Sequence, residues 1–410
     1  MRRTFRNVAE PALSARRLAA IPNLDALFSA RLRQGVGAAL ADETGPIVFS
    51  APPAGTWTVH LHEGRVRLSR GTVPKPRATI TVEPNVLASV LEGRLSGVEA
   101  FLDHGLTVRG DLALALQMDG AFDVGRRPVT HPVAKVRKVL GVRTAYLEAG
   151  PRDAPPVILL HGLGATNASM LPLLADLAHD YRVIAPDFPG FGASGAPRWR
   201  YRATDLAHWL AAFQLVVDAR PAALVGNSLG GRVAIEAALT APDSVRQLVL
   251  LCPSPAFRRM RQFIPLVRLL PPDAVVPPLP MPHRALVTGI RAMFSRPDRL
   301  APTWYDAAAD EHLRVMRDYW HRRAFFACLK QIYLDEAFGD NGFWDRLPRL
   351  SNPTLFVWGD RDRLVPASFE RHVVAAVPNA TSVCLSDCGH VPQFEHPRET
   401  IRLTRQFLAS

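Results

Sequence analysis

Gly226-Asn227-Ser228-Leu229-Gly230 sets a hydroxyl between two glycines. The apolar run Ala223-Leu224-Val225 precedes it, and Val233, Ala234, Ala237 and Ala238 follow at helical spacing. A strand that turns at once into a helix needs small residues beside the bend, and the bend holds the serine out at the strand end. The helix start just beyond favours negative charge on a reacting oxygen. Such a serine attacks an acyl carbon when a base takes its proton and a carboxylate orients that base.

His390 is the candidate base. It sits in Cys388-Gly389-His390-Val391-Pro392, where Gly389 permits a tight loop after the strand-like run Ser382-Val383-Cys384-Leu385. The chain has 13 histidines, so residue type alone decides nothing and position must. The orienting carboxylate lies in Trp358-Gly359-Asp360-Arg361-Asp362, after the run Leu355-Phe356-Val357. Asp362 is preferred because it is further past the strand end, with Asp360 the alternative. His161-Gly162-Leu163-Gly164 follows another apolar run, Val157 to Leu160. The N–H groups of Leu163 and Leu229 are the expected pair of oxyanion donors, stabilising charge that exists only in the transition state. His161 reads as a turn residue and His396 as structural.

The elements that must position these groups alternate. Short apolar runs at Val157–Leu160, Val183–Ala185, Ala223–Val225, Leu248–Leu251 and Leu355–Val357 are separated by helical patterns. This is the signature of buried parallel strands with crossover helices, an α/β fold. Between about 254 and 347 the alternation stops, and Pro, Arg and aromatic residues dominate. That stretch predicts a helical cap over the strand ends, where open sheets bind ligands. Its Phe257, Phe263, Ile264, Leu266, Trp304, Tyr319, Trp320, Phe325 and Phe326 either line an acyl pocket or form the cap's own core.

Residues 1–125 read differently. Leu24, Leu27, Phe28, Leu32, Val36 and Leu40 predict a helix over 23–41. Period-two alternation then predicts strands around Trp57–Leu61, Val66–Leu68 and Ala78–Val82. Helices near 84–92 and 96–103, a strand at 106–108 and a helix at 112–118 complete an α+β module. Prolines and basic residues over 126–137 read as a linker. The second domain then runs over 138–410.

From about 138 the chain resembles the α/β-hydrolase superfamily. Gly141-Val142-Arg143-Thr144-Ala145-Tyr146-Leu147-Glu148-Ala149-Gly150 is similar to its opening hairpin, and Asp187-Phe188-Pro189-Gly190-Phe191-Gly192-Ala193-Ser194 to a following loop. The resemblance implies the chain order Ser, Asp, His that Ser228, Asp362 and His390 follow. Dehalogenases and most epoxide hydrolases of the superfamily carry Asp at the bend, so Ser228 argues against both. Residues from about 20 to 125 resemble the sterol carrier protein family. The carrying segments are Gly55-Thr56-Trp57-Thr58-Val59, Ala78-Thr79-Ile80-Thr81-Val82, Leu95 to Leu102 and Val108 to Leu116, with Asp103-His104-Gly105 a mild departure from the family's small-residue turn. This implies a sheet and helices enclosing an apolar tunnel for an acyl chain or sterol. Leu87, Val90, Leu91, Phe101 and Leu112 to Leu116 could line such a tunnel or fill a solid core.

Composition bounds the partners. Hydrophobic residues make up 48% and charged residues 21%, so a soluble globular chain with a sizeable core is expected. Net charge is +12, nearly all from Arg, since Lys stands only at 75, 135, 138 and 330. Two readings compete: attraction to anionic lipid or acidic ligands, or a diffuse Arg-rich surface. No zinc-finger, RNA-recognition or basic-zipper pattern accompanies the charge, so no nucleic-acid partner is expected. Peripheral membrane contact and oligomeric state stay open. The four cysteines form no Cys-x-x-Cys pair and read as reduced, buried thiols of a cytoplasmic protein. The basic start lacks the apolar stretch of a signal peptide. No cofactor or metal is expected. The leading expectation is a serine hydrolase acting on a carboxylic ester or thioester of a hydrophobic acyl or sterol-like substrate, helped by a lipid-binding module. The alternatives are a carbon–carbon bond hydrolase of ring-fission products, and a lipid carrier with an inactive hydrolase half.

Overall fold

A computed structural model describes residues 22–32, 43–95, 97–102, 105–112, 114–115, 132–256, 281–377 and 380–410. Several sequence expectations fall outside these: the helix beyond residue 32, the closing helix beyond 115, Asp103 and His104, the linker over 126–131, and Phe257, Phe263, Ile264 and Leu266.

The N-terminal module is a five-stranded sheet in the order β3-β2-β1-β4-β5. The strands are β1 (Gly45–Ala51), β2 (Gly55–His62), β3 (Arg65–Arg70), β4 (Ala78–Val82) and β5 (Leu106–Gly110). β1 is central and was not anticipated. Ile47, Val48 and Phe49 are all buried, so the strand lacks the alternation that marks its neighbours. Three helices accompany the sheet: α1 (Leu24–Leu32), α2 (Pro84–Leu91) and α3 (Gly97–Leu102). Phe28 of α1 meets Phe49 and Trp57 at ring-centroid distances of 5.3 and 5.5 Å. Trp57 Nε1 donates to Asp25 at 2.8 Å, which satisfies its buried polar edge.

The larger sheet has eight strands in the order β13-β12-β11-β10-β8-β9-β7-β6. They are β6 (Val133–Val139), β7 (Val142–Ala149), β8 (Pro156–Leu160), β9 (Arg182–Pro186), β10 (Ala222–Asn227), β11 (Val245–Leu251), β12 (Thr354–Gly359) and β13 (Ala380–Leu385). β8 through β13 run parallel, and β6, β7 and β9 pair antiparallel. β6 takes in residues 133–137, whose basic composition reads as linker. The charges belong to an outer edge strand, where they discourage further strand addition. Lys135 also reaches Glu148 at 2.6 Å, and Arg182 holds the other oxygen of that carboxylate at 2.8 Å.

Crossover helices α4 (Leu171–Leu177), α5 (Ala203–Val216) and α6 (Leu229–Thr240) pack on this sheet. The cap follows β11: α7 (His283–Arg291), α8 (Pro302–Met316), α9 (Tyr319–Leu334) and α10 (Phe343–Arg346). The chain closes with α11 (Glu370–Ala376), α12 (Pro392–Glu395) and α13 (Pro397–Leu408). None of the described helices is long and apolar enough to cross a membrane.

The module is joined to the larger domain by apolar packing. Leu87, Leu91, Phe101 and Leu112 lie in one continuous core cluster with Leu171, Leu173 and Leu174 of α4 and with Val157 and Leu159 of β8. Polar contacts fix the register. Asp310 on α8 accepts from Arg109 Nε at 2.6 Å and from the Gly110 N–H at 3.2 Å, at the end of β5. Asp111 pairs with Arg77 at 2.6 Å and lies 4.0 Å from Arg314 of α8. Asp310→Ala strands the Gly110 N–H and should weaken the joint by about 1 kcal/mol. Hydrogen exchange is expected to quicken at β5 amides and stay unchanged in β2; equal rates in both strands for variant and wild type would rule out this joint.

Candidate active site

Ser228 stands at the bend between β10 and α6 with φ 54° and ψ −114°. A non-glycine residue in this region carries strain of about 1–3 kcal/mol, so the surroundings must enforce it. They do so by close approach. A Cβ on Gly230 would lie 2.2 Å from the Leu160 carbonyl oxygen, and one on Gly226 would lie 2.5 Å from the Gly230 backbone. Only glycine lets β10, α6 and the end of β8 come this close. The Ser228 N–H donates to Leu251 O at 3.0 Å, and its carbonyl accepts from Arg232 N and Ser254 N, each at 3.0 Å.

His390 and Asp362 meet. Since the carboxylate only accepts, His390 Nδ1–H donates to Asp362 Oδ2, at 2.7 Å. The other oxygen of Asp362 accepts from Leu364 N at 2.8 Å and Val365 N at 2.9 Å, so the group is fully engaged and buried. This fixes the tautomer that leaves Nε2 free to accept a proton. Asp360, the other candidate, instead accepts from the Cys388 N–H at 3.1 Å and braces the histidine loop. Asn227, next to the serine, donates to Leu251 O at 3.0 Å and to His390 O at 3.1 Å, tying the bend to that loop. Ser228 Oγ is not itself hydrogen-bonded to the imidazole; such contacts commonly tighten only on substrate binding.

Leu163 and Leu229 offer the expected donors. Gly162 faces the serine: a Cβ there would be 3.5 Å from Ser228 Cβ. Among the described residues, neither the Leu163 nor the Leu229 N–H donates to a protein acceptor. Leu229 is the first residue of α6, where such an N–H is free by construction. His161 has a different task. The Phe188 N–H donates to its Nε2 at 3.1 Å, so Nδ1 carries the proton and donates to Gly162 O at 2.8 Å. Full burial pushes its pKa down to about 4, which keeps the ring neutral. His396 lies by Asp387 O at 3.1 Å and by Arg299, outside the site.

Several supports were invisible to pattern reading because their partners are far apart in sequence. Glu395 accepts from Gly389 N at 2.7 Å and from Arg296 N at 2.6 Å, pinning the histidine loop to the cap. The His390 N–H donates to Met293 O at 2.8 Å. His312 of α8 holds Gly164 O at 2.9 Å. Asp187, in the loop after β9, accepts from Asn167 N at 2.7 Å and Ala193 N at 2.8 Å. Burial, and next the nearby Glu311, push its pKa up to about 7.

The cap aromatics divide. Phe294, Trp304 and Tyr305 form a small aromatic cluster with Phe394 of α12, and Trp304 also packs against the main core. Tyr319 and Trp320 are exposed, Trp320 beneath Arg198 at 4.4 Å. Phe325 lies over Gly164 and is the cap aromatic that borders the donor turn. Of the cysteines, all free, Cys252, Cys328 and Cys388 are buried, while Cys384 is exposed, contrary to expectation. Cys252 Sγ lies with Asp362 and His390 in a cluster within 4.8 Å. Burial, and next the Asp362 charge, push its thiol well up, so it stays protonated.

Residues 157–403 match the Alpha/beta hydrolase family, and residues 28–123 match the SCP-2 sterol transfer family. A pimeloyl-[acyl-carrier protein] methyl ester esterase of Xanthomonas oryzae pv. oryzae is 30% identical over 266 residues, covering 62% of this chain and 96% of its own. An uncharacterized protein of Mycobacterium tuberculosis, Rv2715, is 26% identical over 300 residues, covering 69% of this chain and 83% of its own. A solved bacterial membrane phospholipase A superposes with a TM-score of 0.57 at 28% identity, over 68% of this chain and 86% of that one.

Two substitutions probe the geometry. Asp362→Asn removes the charge that holds the imidazole tautomer, and steady-state kinetics should show kcat reduced on the order of 10³-fold or more with KM little changed. Gly230→Ala forces a Cβ into Leu160 O and should cost about 3 kcal/mol or more in chemical denaturation. A wild-type midpoint for that variant would refute the close-approach argument.

Proposed function

Because the chain belongs to the α/β hydrolase family, we propose that it is a serine hydrolase cleaving a carboxylic ester or thioester of a hydrophobic acyl substrate through an acyl-enzyme. The observation that carries this reading is the 2.7 Å His390–Asp362 hydrogen bond behind a strained Ser228 flanked by two unspent N–H groups.

His390 Nε2 takes the Ser228 proton as Oγ bonds to the acyl carbon. The Leu163 and Leu229 N–H groups stabilise the oxyanion, typically the largest single catalytic contribution. Collapse breaks the bond to the leaving alcohol or thiol, which receives the proton from His390. Water then enters, gives its proton to His390, and releases the acid with Ser228 restored. Asp362 stays ionised throughout and holds the imidazolium.

The N-terminal module supports a lipid-like substrate. Its family match is to sterol transfer proteins, and it is built into the cap through β5 and α8. In this reading it holds the acyl chain or the released product beside the cap. The esterase-named relative favours ester chemistry over carbon–carbon cleavage.

The test is a series of p-nitrophenyl esters from short to long chain, with a vinylogous dioate as the carbon–carbon substrate. Ester turnover is expected, rising with chain length, and Ser228→Ala should reduce it to background while retaining the wild-type circular dichroism. Turnover of the dioate alone, or wild-type ester rates in Ser228→Ala, would overturn the proposal.

A further inference from the structure

Neighbouring residues of α8 divide between two sides of the helix. Asp310 accepts from Arg109 Nε at 2.6 Å and from the Gly110 N–H at 3.2 Å, both in the N-terminal module. Arg314, one turn later, pairs with Glu311 at 2.7 Å and lies 4.0 Å from Asp111 of that module. His312 follows Asp310 by two residues, which on a helix turns it by about 200°. It reaches the opposite way, and its Nδ1 lies 2.9 Å from Gly164 O. α8 is therefore clamped, with the module on one face and the donor turn on the other.

A carbonyl only accepts, so His312 Nδ1–H is the donor and Nε2 carries no proton. Burial lowers the pKa of the ring, opposed by the bond to the Gly164 carbonyl, so the imidazole is neutral. Phe325 of α9 packs edge-on to this ring at a centroid distance of 5.8 Å. Gly164 has φ +74°, and a Cβ on it would lie 2.8 Å from the Phe325 ring and 3.3 Å from His312 Cε1. Within the turn, Gly162 O accepts from His161 Nδ1 at 2.8 Å and from the Ala165 N–H at 3.2 Å. Gly162 O shares its peptide plane with the Leu163 N–H, so His161 sets one end of the turn. Gly164 O closes the other end, and its donor comes from the cap.

We propose that His312 is a positioning residue for ester hydrolysis. From the cap it holds the Gly162–Gly164 turn so that the Leu163 N–H stays directed at the developing oxyanion. This rests on the reading of Leu163 as an oxyanion donor. His312 touches no reacting atom in this role and acts through Gly164. A donor that drifts forfeits more transition-state than ground-state binding, so the loss falls on kcat and leaves KM nearly unchanged. The module's grip on the far side of α8 makes the imidazole a fixed point for the turn.

Two amide replacements separate this hold from plain packing. The amide nitrogen of an asparagine at this position overlies Nδ1 and can donate to Gly164 O. That of a glutamine falls where Nε2 lies and cannot. In the full-length protein, kinetics on p-nitrophenyl butyrate should show kcat lowered about tenfold or more in His312→Gln, with KM within about threefold. In His312→Asn, kcat should stay within about threefold of wild type. Hydrogen exchange at the Ala165 amide reads the turn without turnover, and should quicken in His312→Gln but not in His312→Asn. Equal kcat and equal exchange in the two variants, whether both wild-type or both impaired, would overturn the role. An exchange difference in a protein that hydrolyses no ester would uphold the grip on the turn and sink the hydrolase reading instead.

Discussion

The structure depends on one close approach: the bend that carries Ser228 lies against the end of β8 with no room for a side chain at Gly226 or Gly230. That contact does two jobs. It forces the serine into a conformation a free chain would avoid. It also brings the start of α6 beside the turn at Gly162–Gly164, and among the described residues the Leu163 and Leu229 N–H groups there donate to no protein acceptor. The rest of the large sheet is scaffolding for this arrangement. β12 and β13 deliver the carboxylate and the imidazole from loops at their ends, and Asn227 ties the serine bend to the histidine loop.

The cap completes the site from the other side. It reaches the histidine loop through Met293 and Glu395, and the donor turn through His312 and Phe325. The same helix that carries His312 carries Asp310, which is bound to the end of β5 in the N-terminal module. Cap position and module position are therefore coupled through α8. A cap that swings away must either carry the module with it or break the Asp310 contacts and part of a shared apolar core. This makes the module a structural part of the site's enclosure as well as a candidate lipid holder.

The catalytic candidates were legible because their signals are local and steric. A hydroxyl between glycines after an apolar run, and a histidine behind a glycine, each report a tight bend within five residues. The preference for Asp362 over Asp360 came from position alone, and the geometry gives each a separate role. β1 escaped notice because burial of Ile47, Val48 and Phe49 removes alternation. β6 escaped because the charges that protect an edge strand look like those of a linker. The cap aromatics could not be sorted either: nothing local distinguishes Trp304, packed against Phe294 and Phe394, from the exposed Trp320. Glu395 and His312 act through backbone groups about 100 residues or more away, or across a loop that closes only in three dimensions, and no sequence pattern encodes that.

The central claim is that Ser228 forms a covalent acyl intermediate. Intact-mass spectrometry during turnover of a slowly deacylating aryl ester, followed by peptide mapping, reads this directly. The account requires one acyl adduct per chain, mapped to Ser228 and absent from Ser228→Ala. Hydrolysis at an undiminished rate with no adduct, or an adduct on another residue, would contradict it.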